Sequence, residues 1–97
     1  MKPDITLILP IKNEDKILSK NINKYKRKIE SITKKKIIII TVLNGSSDNS
    51  EKIIDNLKKK YLIKKYILKY GNIGLALKVG LNKVNTKFAI IMNVDYQ

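Results

Sequence analysis

Asn93, Asp95 and Gln97 alternate along one side of an extended segment and line up three oxygen donors. Oxygen donors in that pattern suit a hard cation, magnesium or manganese, which can in turn neutralise a diphosphate. The chain contains no histidine and no cysteine. Imidazole and thiolate metal sites are therefore excluded, and so is the commonest general base. An ordinary polar strand end accounts for the same residues equally well.

Three upstream segments offer complementary chemistry. Pro10-Ile11-Lys12-Asn13-Glu14 follows an apolar run. Pro10 is expected to stop the strand, leaving Asn13 and Glu14 at a loop-to-helix junction. Helix capping is the plainer reading there, since Asn suits the N-cap and acids suit the first turn. Asn44-Gly45-Ser46-Ser47-Asp48-Asn49-Ser50 is small and polar. Such a loop lets backbone amides approach an anion at the following helix N-terminus. Gly71-Asn72-Ile73-Gly74 opens a segment carrying Ala76, Lys78 and Gly80. Ala76 and Gly80, one turn apart, permit close approach of a helix to the sheet or to a ligand, and Lys78 could reach a diphosphate. The glycines do not form a dinucleotide fingerprint, and no P-loop pattern is present.

These residues need a scaffold, and the hydrophobic pattern supplies one. Residues 5–9 read as a buried strand. Residues 15–32 place Leu18, Ile22, Tyr25, Ile29 and Ile32 on one helical stripe, with lysines opposite. Residues 37–43 are apolar on both faces and β-branched, as a central parallel strand should be. Asp48 and Glu51 form an expected capping box for a helix through about residue 60, with Ile53, Ile54, Leu57 and Tyr61 as its core stripe. Residues 63–69 make a third strand. Residues 74–84 make a third helix, with Leu77, Leu81 and Val84 expected toward the sheet. Residues 88–92 make the fourth strand. The βαβαβαβ order predicts an α/β single domain over 1–97: three layers, a mostly parallel sheet of about four strands, helices on both faces. All four polar segments then fall on one edge of the sheet, where open α/β sheets hold ligands.

At 97 residues the chain is one domain at most, burying about 60–70% of its unfolded surface. Twenty-one Lys and Arg against eight Asp and Glu give +13, which favours phosphate-bearing partners. Lys, Ile and Asn share A/T-rich codons, so codon composition alone explains part of this. Arg27 is the only arginine, and no aromatic platform stands out; both argue against nucleic acid. The N-terminus has no signal-peptide pattern, and the longest apolar stretch falls far short of the ~20 residues of a membrane helix. The expected location is cytoplasmic, with peripheral attachment at the cytoplasmic membrane face as an option.

Together, the order and placement of these motifs resemble the N-terminal, nucleotide-binding half of family-two inverting glycosyltransferases of the GT-A fold. That family has Pro-x-x-Asn-Glu after strand one, here Pro10, Asn13 and Glu14. It has Asp-Gly-Ser-x-Asp-x-Ser/Thr after strand two, matched by Gly45, Ser46, Asp48 and Ser50 with Asn44 in first place. Its Asn-x-Gly with a spaced Ala and Gly is matched by Asn72, Gly74, Ala76 and Gly80, and its Asp-x-Asp by Asn93-Val94-Asp95. With Tyr96-Gln97, the last motif is most similar to dolichyl-phosphate mannosyltransferase and related polyprenyl-phosphate sugar transferases.

The resemblance implies a Rossmann-like fold of the nucleotide-diphospho-sugar transferase type, truncated after the metal corner. It implies a UDP- or GDP-linked sugar as ligand and a polyprenyl phosphate as one candidate acceptor. Pro10, Asn13, Glu14, Asn44, Ser46, Asp48, Gly74, Lys78, Asn93 and Asp95 would surround the nucleotide sugar. Asp95, Gln97 and Asn93 would hold magnesium or manganese, weakened because Asn93 is uncharged. No catalytic base is assigned in these residues. A second chain or self-association could complete the sheet at the fourth strand. The alternatives are a non-catalytic relative with a decayed metal site, and a basic nucleic-acid or membrane-surface binder.

Overall fold

The computed structural model describes residues 2–45, 49–70 and 72–93. Its elements are β1 (Ile5–Ile11), α1 (Asp15–Thr33), β2 (Ile37–Asn44), α2 (Ser50–Leu57), β3 (Ile63–Leu68), α3 (Ile73–Asn82) and β4 (Phe88–Ile91). One sheet has the order β3-β2-β1-β4, and every pairing is parallel. The expected alternation of strand and helix is therefore present, with boundaries shifted by one to three residues.

β1 is buried along its whole length, because it lies between β2 and β4 and helices cover both faces. Leu7, Leu9 and Ile11 join Leu18, Ile22 and Tyr25 of α1 and Ile54 and Leu57 of α2 in the main core. On the opposite face a smaller core joins Ile40 and Val42 of β2 to Ala76 of α3. Helices α1 and α2 thus share one face and α3 takes the other, giving three layers. Among the described residues, no helix is long and apolar enough to cross a membrane.

Pro10 does not end its strand. The pairing with β2 continues through Pro10↔Val42 and Ile11↔Leu43. Asp4 and Ile8 accept from Phe88 and Met92, so the even residues of β1 direct their backbone groups toward β4. The missing N–H of Pro10 therefore falls on the β4 side. Pairing there stops at Ile8↔Ile91, and the ladder loses nothing.

Three helix expectations are corrected. Ile32 leaves the α1 stripe and is 71% exposed; the stripe drifts off the sheet in the last turn. Asp48 lies outside the described residues, and α2 is capped by Asn49 without a side-chain cap bond. Glu51 instead pairs with Lys65 of β3 at 2.7 Å, alongside Asp55 at 2.8 Å, because Lys65 faces α2 and is largely covered. On α3 the small residues, not the leucines, meet the sheet. Ala76 and Gly80 are buried, whereas Leu81 is half-exposed and Leu77 and Val84 are only partly covered. A Cβ on Gly80 would lie 2.6 Å from Ile8 Cγ2, so the helix sits too close to β1 for larger side chains.

Candidate functional site

The connections β1→β2→β3 step one way across the sheet, with α1 and α2 on one face. The connection β3→β4 returns past both inner strands with α3 on the other face. The strand order therefore reverses between β1 and β4, and the crevice above that point is where such sheets bind ligands. Its rim is built from the segments after β1, β2 and β4 and from the start of α3.

The β1–α1 turn is tight. Asn13 adopts φ 51°, a left-handed conformation that Asn tolerates better than most residues. Asn13 is thus the turn and not the cap; Glu14 is the N-cap residue. A Glu14 carboxylate oxygen accepts from the Lys12 backbone N–H at 3.3 Å. Asn13, Glu14, Asp15 and Lys16 line an open depression of about 480 Å³. Pro10 is buried below this turn and fixes the strand that leads into it.

At the end of β2, Asn44 is buried and its Oδ1 accepts from the Asn72 backbone N–H at 2.6 Å. The Asn72 side chain in turn accepts from the Leu75 N–H at 3.0 Å and caps α3. Gly45 then turns at φ 71°, a left-handed conformation that glycine adopts without a Cβ clash. Its N–H donates to Leu68 at 2.9 Å. Asp15 accepts from the Asn49 backbone N–H at 3.4 Å, tying the starts of α1 and α2 together. After β4, the carbonyl of Asn93 accepts from the Tyr25 hydroxyl at 3.2 Å, while the residue itself is exposed.

Of the residues expected at this site, Pro10, Asn13, Glu14, Asn44, Gly74 and Asn93 lie at or under one edge of the sheet. Lys78 points elsewhere: it is exposed, two positions from both Ala76 and Gly80, on the side of α3 away from the sheet. Ser46, Asp48, Asp95 and Gln97 lie outside the described residues. Among the described residues, no three His, Cys, Asp or Glu side chains gather to hold a metal. Sequence reasoning took Tyr25 as core alone and overlooked Asp15 and Asn49 as rim ties. The one available signal for Tyr25 was a hydroxyl in an otherwise aliphatic stripe.

Against known families, the profile for glycosyl transferase family 2 matches residues 6–97. The chain belongs to this family. Compared with curated proteins, the sequence matches none. Among solved structures, Staphylococcus aureus TarS (residues 1–349) superposes with a TM-score of 0.80 at 19% identity, over 95% of this chain and 27% of that one. TarS has also been solved with UDP and with UDP-GlcNAc. The mannosyltransferase PcManGT from Pyrobaculum calidifontis, in complex with GDP-Man and Mn2+, gives 0.76 at 15% identity, over 98% of this chain and 28% of that one. At such identities the likeness establishes the GT-A fold. The family-two chain spans little more than a quarter of either structure.

Proposed function

We propose that this chain forms the donor corner of a family-two glycosyltransferase and binds a nucleoside-diphosphate sugar, UDP- or GDP-linked. The observation that carries this reading is the family match over residues 6–97, laid on a sheet whose reversal point lies under the matching motifs. Glu14, Asn13 and Asn44 belong to the nucleoside side of the crevice. Asn93, Asp95 and Gln97 belong to the diphosphate side. An all-oxygen donor set fits magnesium or manganese, and the backbone at Asn93 is pinned by Tyr25, which suits a ligating strand end. The bound cation would offset charge on the diphosphate. Asn93, neutral where the family has Asp, would weaken that cation's hold. Transfer itself requires an acceptor site from a further segment or chain. The exposed, uncharged edge of β4 supports attachment there, and a polyprenyl phosphate at the cytoplasmic membrane face is the acceptor we favour.

Titration with UDP- and GDP-sugars, with and without manganese, tests the reading. Saturable, metal-dependent binding that Asn93→Asp strengthens and Asp95→Asn abolishes is expected. No binding by a folded chain would instead favour a second reading, a non-catalytic relative acting as a regulatory or interaction subunit. One observation favours that alternative: the Asn44 oxygen is already engaged by Asn72.

A further inference from the structure

The solvent side of α1 carries Lys16, Lys20, Lys24 and Lys28 at successive steps of four, all exposed. Like charges at that spacing each destabilise a helix, and interleaved acids would relieve the cost. None is there. Among the described residues, Glu30 is paired with Lys26, Glu51 and Asp55 with Lys65, and Asp15 meets Asn49.

This cationic spine runs beside a pocket of about 350 Å³ between α1 and the turn after α2. Lys20, Asn23, Arg27, Lys60 and Tyr61 line it, with no carboxylate among them. The pocket's floor is ordered. The Tyr61 hydroxyl donates to Asn23 Oδ1, and Asn23 Nδ2 donates to the Ser19 carbonyl at 2.8 Å. Arg27 Nε donates to the Asn23 carbonyl at 3.4 Å, and the guanidinium has no carboxylate partner among the described residues. Lys60 lies 5.1 Å from the Tyr61 ring centre. Three cations, one of them the chain's single arginine, therefore converge on a fixed amide and phenol. A forked guanidinium flanked by ammonium groups matches the tetrahedral oxygens of a phosphate.

We propose that this pocket is a phosphate-binding site, separate from the donor crevice, and that it takes a phosphomonoester. Three converging positive charges match a doubly ionised monoester better than a singly charged diester. The monoester is presented by either a lipid head group or a soluble phosphate, and the neighbouring lysines favour the lipid surface.

The test uses the full chain. Inorganic phosphate binding is measured by calorimetry. Vesicle binding is measured by co-sedimentation with phosphatidylcholine containing phosphatidate, and with phosphatidylcholine containing charge-matched phosphatidylglycerol. The Lys20→Gln/Arg27→Gln double variant is compared with Lys64→Gln/Lys87→Gln, which removes equal charge at exposed positions outside the pocket. At roughly tenfold per 1.4 kcal/mol and about 1 kcal/mol per cation, the pocket variant should lose about 30-fold in affinity. The control should stay within about twofold for phosphate and for phosphatidate. Phosphatidate binding above phosphatidylglycerol identifies a lipid source; binding of phosphate alone identifies a soluble one. Equal losses in both double variants overturn the site, as does absence of binding to either probe by a chain with native circular dichroism. Single-stranded RNA binding that is salt-steep and indifferent to Lys20 and Arg27, without phosphate binding, also overturns it.

Discussion

Gly80→Ala offers the sharpest test of how α3 is seated. Adding a methyl group in a helix interior normally stabilises by about 0.5–1 kcal/mol, since glycine loses more freedom on folding. Here the new Cβ would stand 2.6 Å from Ile8 Cγ2. Ile8 is fully buried, and its strand is paired on both sides, so neither partner can retreat cheaply. Overpacking of this kind costs about 1–3 kcal/mol. The balance is a net loss of about 1–2 kcal/mol, or a fall in Tm of about 5–15 °C for a domain of this size. Gly74→Ala is the internal comparison. Its Cβ would meet only Asn72 Oδ1 at an ordinary 3.5 Å, so the same change near the start of the helix should stabilise by about 0.5 kcal/mol or more. Urea unfolding followed by circular dichroism reads both, with unchanged slopes confirming that stability alone has moved. Ile8→Leu removes the offending branch at similar volume, and the Ile8→Leu/Gly80→Ala pair should recover much of the loss. If Gly80→Ala is neutral or stabilising in the wild-type background, the close seating of α3 on β1 is wrong.

The remaining predictions concern the rim, the charges and the sheet edge. Asn44→Ala should cost about 1–2 kcal/mol by leaving the Asn72 N–H unsatisfied, whereas Asn44→Asp should keep that bond; chemical denaturation of both variants measures the difference. Desolvation opposes ionisation of Glu30, but its hydrogen bonds from Lys26 and the Ile37 N–H and the charges of Lys26 and Lys36 outweigh it and hold the carboxyl below 4.5. A lowered carboxyl contributes stability above pH 4.5 that is lost as pH falls through the folded value, so Glu30→Gln should flatten the acid limb of a stability–pH profile. Hydrogen bonds that Lys65 donates to Asp55 and Glu51 outweigh desolvation and raise it above 10.5. Its contribution is full below pH 10.5 and fades above the raised value, and Lys65→Met should flatten the alkaline limb. Ile91→Lys should suppress concentration-dependent association in sedimentation velocity, and an unchanged profile would dissociate β4 from any such contact.

The fold was legible because each strand is either uniformly apolar or bounded by turn residues, and α1 and α2 each have a stripe. What the pattern could not give was the direction of α3. Its sequence, Ile73-Gly74-Leu75-Ala76-Leu77-Lys78-Val79-Gly80-Leu81-Asn82, is apolar nearly all round, so hydrophobicity alone does not choose a face. Size chose it: Gly80 lets the helix approach Ile8, and Ala76 packs on Ile40 and Val42. The capping role expected of Glu51 was lost for a different reason, its expected partner Asp48 lying outside the described residues. A local rule competed with a tertiary demand, and the ammonium of Lys65 took the Glu51 carboxylate. At the site, sequence order located the rim, but not that its polar side chains bond one another's backbones. Asn44 to Asn72, Asp15 to Asn49 and Tyr25 to Asn93 each cross between elements far apart in sequence.

Those ties also bear on which way the sheet can grow. Edge strands are kept from pairing chiefly by charge. β3 carries Lys64 exposed on one face, while Lys65 on the other is covered by α2 and held by Glu51 and Asp55, so an incoming strand would meet the Lys64 ammonium. β4 is Phe88-Ala89-Ile90-Ile91 with no charge at all. Phe88 and Ile91 remain about half-exposed, and they lie on opposite faces, since Phe88 pairs with Ile5 and Ile91 with Ile8. Both faces of this edge are therefore apolar and open, while the backbone just beyond it is held by Tyr25. A strand added at β4 would extend the sheet beside the reversal point and wall the crevice from the side opposite β2. The edge chemistry thus favours completion of the donor corner and association at the same place, and Ile91→Lys should weaken both together.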